Sequence, residues 1–230
     1  MGEQQMLGQK SEGKCSLCGG SYSKTGMTKH LKSCKQRKGI SETPSARRSL
    51  QKIKSLHLVV EGRDLPEYWM HLKVLTNVKL WERDNFFRDT WLECCGHMSA
   101  FTIEGIRYSS GPMEELEEED MDVALGEVFI PGLKFYYEYD FGTTSELMLK
   151  VVSEREGEIE GEPIQLLARN NPPSIPCDSC GKIATQVCTE CIWSGEGWLC
   201  DECASEHECG EEMFLPVVNS PRVGMCGYTG

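Results

Sequence analysis

The sequence predicts an α+β fold: a small mixed sheet with helices as the central domain, flanked by two short cysteine-rich modules. Three observations lead there. Apolar residues alternate over 53–61 and again over 133–152, the period of half-buried strands. Between them, Leu80, Phe87, Trp91, Cys94 and Cys95 recur at helical spacing. Most of the 13 cysteines fall in pairs two residues apart, on either side of that middle stretch.

The 230 residues suffice for one mid-sized domain or a core with small satellites. Hydrophobic residues make up 39% and charged residues 26%, as in a soluble globular protein. No apolar run approaches the roughly 20 residues that span a bilayer. The stretch MGEQQMLGQKSEG lacks the apolar core of a secretory signal, and Met6 stands where myristoylation needs Ser or Thr. The expectation is an intracellular, cytoplasmic chain without membrane contact. In a reducing compartment, closely paired cysteines bind metal more readily than they form disulfides.

Net charge is −12, unevenly spread. Residues 1–54 carry 12 Lys+Arg against 3 Asp+Glu, a net +9; the remainder carries 12 against 33, a net −21. A basic head on an acidic body points to an anionic partner for residues 14–54. Attraction between the two parts of the chain, or plain solvation of the head, is the alternative.

Residues 13–36 give Cys15-x2-Cys18-x11-His30-x3-Cys34. Gly19 and Gly20 let backbone amides approach the first sulfur pair. His30 and Cys34, four apart on a short helix, point to one face, and Thr25 is the expected N-cap. Tyr22 and Met27 supply the small apolar core. The arrangement resembles the two-strand-plus-helix zinc finger with a terminal cysteine in place of histidine. Four protein ligands leave no open coordination position, so the expected metal is structural. Such binding supplies about 10 kcal/mol, which so short a segment cannot gain from burial. Lys24, Lys29, Lys32, Lys35, Arg37 and Lys38 decorate the finger and its exit, which suits nucleic acid; protein contact is the competing expectation.

Residues 37–52, polar and basic with Pro44, read as a linker. Over 53–168 the chain has enough apolar pattern for a core. Residues 53–61 form a strand containing His57, and 66–79 a further strand region with Trp69 and His71. Residues 80–95 form a helix capped at Gly96. Cys94 and Cys95 read as small buried hydrophobes at its end, with a metal or redox site including His97 as the alternative. The acid run 114–122 reads as a solvated loop. Over 133–152, Phe135, Tyr137, Tyr139 and Phe141 share one strand face and Tyr136, Glu138 and Asp140 the other. Gly142 breaks the run, and Leu147, Leu149 and Val151 resume it as a hairpin.

The stretches GHMSAF (96–101) and YEYDFG (137–142), with the order of elements around them, resemble the plasmid pRiA open-reading-frame-three-like family. Its members are also described as passenger TnpR-like proteins of insertion elements. The resemblance covers about residues 50–155 and implies a mixed α+β domain. The family continues after YDFG with an acid, Trp and His at alternate positions, where this chain has Thr143, Ser145 and Leu147. The resemblance therefore transfers no catalytic residue.

After the stiff stretch RNNPPSIP (169–176), residues 177–230 form a cysteine-rich module. It reads Cys177-x2-Cys180, Cys188-x2-Cys191, Cys200-x2-Cys203, then His207 and Cys209, with Cys226 beyond. Each pair brings two thiolates onto one turn, and two pairs complete a tetrahedron. The spacing resembles B-box and related cross-braced fingers, which implies that pairs one and three share an ion. Cys177, Cys180, Cys200 and Cys203 then form one site, and Cys188, Cys191 and His207 a second. Cys209 completes the second, with Cys226, in a glycine-flanked GMCGY knuckle, as the alternative; sequential pairing of the cysteine pairs is the other arrangement left open. Three Zn2+ ions are expected in the chain. Trp193 and Trp198 are expected to pack locally, with a partner-anchoring role as the alternative.

These features point to a non-enzymatic, zinc-binding adaptor that meets nucleic acid or a protein through its basic finger. The alternative is an enzyme whose site lies in the middle domain and draws on Asp140, Glu138, His97 or His71. Convergence of those side chains in one cleft would favour catalysis.

Overall fold

The computed structural model describes residues 11–36, 53–157 and 162–230. The linker expected over 37–52, with Arg37 and Lys38, and the first ten residues lie outside the described residues.

The fold is α+β, but its sheet is not small: ten described strands form one sheet. These are β1 (Glu12–Cys15), β2 (Ser21–Ser23), β3 (Ile53–Gly62), β4 (Trp69–Leu75), β5 (Ser99–Ile103), β6 (Ile106–Ser109), β7 (Glu119–Asp120), β8 (Lys134–Tyr139), β9 (Ser145–Gly157) and β10 (Ile164–Asn170). Their spatial order is β2-β1-β10-β4-β3-β9-β8-β5-β6-β7, antiparallel apart from the β6–β7 pair. The sheet outgrows the expectation because β10 pairs with β4 and then offers its free edge to the finger's β1.

Alternation on β4 explains both faces. Met70, Leu72 and Val74 join the main core with Leu58, Val60, Tyr137, Leu149 and Val151. Trp69 points the other way and meets Met27 and Leu31 of the finger's helix α1 (Lys24–Ser33). Each such buried side chain contributes about 1.5–3 kcal/mol. Gly13 allows the close approach: a Cβ there would lie 2.2 Å from the Arg169 carbonyl oxygen and 2.6 Å from Trp69 Cη2. His57 is a buried strand residue, its Nε2 2.9 Å from His71 Nδ1.

Helix α2 (Leu80–Phe87) buries Leu80, Arg83, Asp84 and Phe87 and passes into one π-helical turn, Arg88–Leu92. Glu93 is already extended, so the helix stops before Cys94 and Gly96 does not cap it. Arg88 accounts for the early stop. Its Nη1 donates to Glu93 Oε2 at 2.8 Å and its Nη2 to the His97 carbonyl at 2.6 Å, folding 93–97 back over the turn. Asp84 accepts from Arg88 Nε at 2.7 Å, and from Ser99 Oγ and the Tyr137 hydroxyl at 2.6 Å each. A buried carboxylate so fully partnered is tolerated.

Phe135, Tyr137 and Tyr139 face the core as expected, and so do Leu147, Leu149 and Val151. Phe141 does not: it is 41% exposed, while Asp140 is buried. Asp140 has φ +65°, which ends the strand and breaks the alternation before Gly142 is reached. Most of the acid run is exposed, but Glu118 is drawn in to pair with Arg107 Nε at 2.9 Å.

The cysteine-rich segment carries a three-stranded sheet, β12-β11-β13 (Trp198–Leu199, Gln186–Cys188, Phe214–Pro216). The chain then returns to the core. Asn219 and Asn170 bond reciprocally, Asn170 Nδ2 to Asn219 Oδ1 at 2.7 Å and Asn219 Nδ2 to the Asn170 carbonyl at 3.0 Å. Ser220 Oγ donates to the Trp91 carbonyl at 2.6 Å. Val223 is buried in the main core, and Arg222 has 0% exposure.

Candidate metal centres

The finger folds around a turn and a helix. Ser23, not Thr25, caps α1, its Oγ accepting from the Gly26 N–H at 3.2 Å. This starts the helix at Lys24, nearly two turns before His30, and sets the His30 and Cys34 side chains toward the Cys15–Cys18 turn. Gly19 has φ +72°, the left-handed value that a knuckle needs. The Gly20 N–H points at Cys18 and holds its thiol below the usual range. Cys18 Sγ lies 3.3 Å from His30 Nε2, and Tyr22 stacks on the His30 ring at 4.2 Å. The ligand atoms of Cys15, Cys18, His30 and Cys34 all lie within 4.8 Å of one another.

In the cysteine-rich segment the pairs interleave. Cys177, Cys180, Cys200 and Cys203 gather at one point, with Cys180 and Cys200 sulfurs 3.6 Å apart. Cys188, Cys191, His207 and Cys209 gather at another. There Cys191 Sγ is 3.3 Å from His207 Nε2 and 3.7 Å from Cys209 Sγ. Strand β11 links the two centres, since Cys188 is its last residue and its partner β12 leads directly into Cys200. Burial acts to raise the Cys177 thiol, but the N–H groups of Cys200, Cys180 and Ser179 outweigh it and bring it down to about 6. Cys188 falls to about 7 in the same way, under the Cys191 and Glu190 amides. Cys203 is pushed up to about 12, first by Cys180 and Cys200, and Cys209 to about 12, first by Cys191 and Cys188. The four thiols of one group and the three of the other cannot all ionise at such spacing without a cation between them.

Cys226 does not complete the second centre. Cys209 holds that position, and Cys226 instead stands with Cys94, Cys95 and His97, all four ligand atoms within 4.8 Å. There are thus four Cys/His groups among the described residues, not three. Cys94 is half-buried and Cys95 exposed, which corrects the reading of both as buried hydrophobes. The signal in the sequence was the short Cys94-Cys95-x-His97 spacing and the thiol left over at Cys226; nothing local connected them.

Of the side chains considered for catalysis, His97 and Asp140 come together, while His71 and Glu138 lie elsewhere. His71 is sealed in the sheet against His57, and Glu138 pairs with Arg107 Nη1 at 2.5 Å. His97 Nε2 lies 3.5 Å from Asp140 Oδ2, but Asp140 is engaged by Arg222 and His97 by Cys226. Trp198 packs against the core, whereas Trp193 is 68% exposed and does not pack as expected. No described helix is long and apolar enough to cross a membrane.

No family model matches the chain, and no curated protein matches it. Among solved structures, it is similar to a protein of unknown function, MM3350, from Methanosarcina mazei Go1. The two share 16% identity at a TM-score of 0.43, over 57% of this chain and 77% of that one.

Proposed function

We propose that this chain is a zinc-dependent, non-catalytic binding module. The observation that carries the reading is the spacing of its donors. A tetrahedral zinc with bonds of about 2.3 Å to sulfur and about 2.05 Å to nitrogen has edges of about 3.8 Å between sulfurs and about 3.5 Å between sulfur and nitrogen. In the finger and the cysteine-rich segment, sulfurs stand 3.6 and 3.7 Å apart and sulfur and nitrogen 3.3 Å apart. Four protein donors close each of the three centres in the finger and the cysteine-rich segment, so the ions hold structure and activate no water.

The finger is the contact surface in this reading. Met27 and Leu31 bury one side of α1 against the sheet, and Lys24 is tied to Glu61. Lys29, Lys32 and Lys35 remain exposed on the outward side. An anionic partner fits them, nucleic acid first. The central domain is proposed to belong with the pRiA open-reading-frame-three-like proteins of insertion elements. Support comes from its two signature stretches, which are neighbours: Ser99 pairs with Tyr139 and Phe101 with Tyr137. The positions that depart from that family are engaged otherwise here, the Thr143 carbonyl and Ser145 Oγ accepting from Arg222 at 3.1 and 3.0 Å.

Fluorescence anisotropy of a labelled duplex with the zinc-loaded full chain tests the partner. The expected result is binding that weakens as salt rises and is lost in a Lys29→Glu, Lys32→Glu, Lys35→Glu variant. No salt-dependent binding at low ionic strength removes the nucleic-acid reading.

A further inference from the structure

Cys94, Cys95, His97 and Cys226 belong to neither the finger nor the interleaved pair of centres. Their donors nevertheless meet as closely. His97 Nε2 is 3.2 Å from Cys226 Sγ, against 3.3 Å for Cys18 with His30 and for Cys191 with His207. We propose that these four residues form a fourth site for a soft or borderline divalent ion, zinc in the first place, which clasps residues 217–228 onto the core.

Three further observations support it. First, Arg222 is completely buried, and its Nη2 donates to Cys94 Sγ at 3.3 Å as well as to Asp140 Oδ2 at 2.7 Å. A buried guanidinium N–H aimed at a sulfur fixes that sulfur's place in the cluster, as outer contacts do for metal ligands. Second, the backbone is shaped on both sides of the cluster. Gly96 has φ +72°, and Cys226 itself has φ +46° next to Gly227 at +72°. A cysteine held in the left-handed region is strained, and Gly227 follows Cys226 as Gly19 follows Cys18 and Gly181 follows Cys180, all three at +72°. Third, a disulfide between any two of the sulfurs would leave the third thiol and the His97 nitrogen crowded beside it, whereas one tetrahedral ion uses all four donors.

The site differs from the other three. Its ligands come from distant parts of the chain, and two of them, Cys95 and Cys226, are exposed. It is therefore the most open of the four to a competing chelator.

Elemental analysis and native mass spectrometry of the full chain, purified under reducing conditions with zinc, test the proposal. The expected result is four ions in the wild type and three in each of Cys95→Ser and Cys226→Ser. Three ions in the wild type, or an unchanged count in both variants, overturns the clasp and leaves the other three centres standing. An intact mass short of two hydrogens, mapped to a disulfide among Cys94, Cys95 and Cys226, also overturns it. A readout that needs no variant is stepwise removal of zinc from the wild type by a chromogenic chelator with alkylation of freed thiols. The first ion to leave is expected to expose Cys94, Cys95 and Cys226 to the alkylating reagent; first labelling at the finger or at 177–209 overturns the assignment.

Discussion

Arg222 Nη2 donates to Asp140 Oδ2 at 2.7 Å from a guanidinium wholly sealed from solvent. The pair joins the returning segment to the turn between β8 and β9. It also explains why Asp140 faces inward against the strand alternation: its Oδ1 accepts the Gly142 and Thr143 N–H groups at 3.0 and 3.2 Å while Oδ2 receives Arg222.

Removing one partner of such a pair leaves a buried charge without compensation. Arg222→Met is expected to lower stability by about 3–5 kcal/mol. Adding Asp140→Asn to it should restore part of that loss, because the two sites are coupled. Urea unfolding of the four proteins in zinc-containing buffer gives the cycle; additive losses would show that the pair contributes no coupling.

Chelation should act locally before it acts globally. Within 177–216 the described strands have two or three residues and the helix Asp201–Ser205 has five, too few to persist alone. The expected outcome of treatment with excess EDTA is loss of hydrogen-exchange protection over 177–216 and 12–36, while β3, β4, β8 and β9 stay protected. Readdition of zinc should restore the pattern.

Gly13 is where the finger meets the sheet. Gly13→Val puts atoms into the Arg169 carbonyl and the Trp69 ring, and overpacking of this kind costs about 1–3 kcal/mol. The finger should keep its metal yet lose protection at Ser16, whose N–H donates to the Leu167 carbonyl of β10 at 2.9 Å. Full protection there in the variant would contradict the packing described.

Burial raises the Tyr68 hydroxyl above its usual range, with Glu67 adding to it. Burial likewise raises Tyr137, with Asp84 adding to it. Between the unfolded value near 10 and these raised values, the native state binds more protons than the unfolded state. The contribution to stability is therefore whole below about pH 10 and shrinks as pH rises further. Phenolate absorbance from these two side chains should appear together with loss of circular dichroism, and Tyr137→Phe should flatten the alkaline fall in stability.

Most of the Cys/His grouping was legible because it is local. A Cys-x2-Cys turn carries its own geometry, and His30 with Cys34, or His207 with Cys209, needs only one short element. The strands were legible where alternation continued undisturbed, as at Phe135, Tyr137 and Tyr139. It failed at Phe141 because Asp140, at positive φ, ends the strand and exchanges the facing of these two residues before β9 resumes the pattern. The fourth Cys/His group was hidden for another reason: Cys226 reaches Cys94 only after the whole sheet, the helix and the cysteine-rich segment have placed it there. The size of the sheet was hidden likewise, since no local pattern tells β1 that its partner is β10.

That last pairing bears on how the protein is made. Gly13 waits for Asn170, so while the chain emerges from the ribosome the first hairpin presents an unfilled edge for most of synthesis. Long-range closure of this kind is slow, and an open strand edge invites the wrong neighbour. Early metal capture by the finger would hold that edge short and twisted until its proper mate is translated.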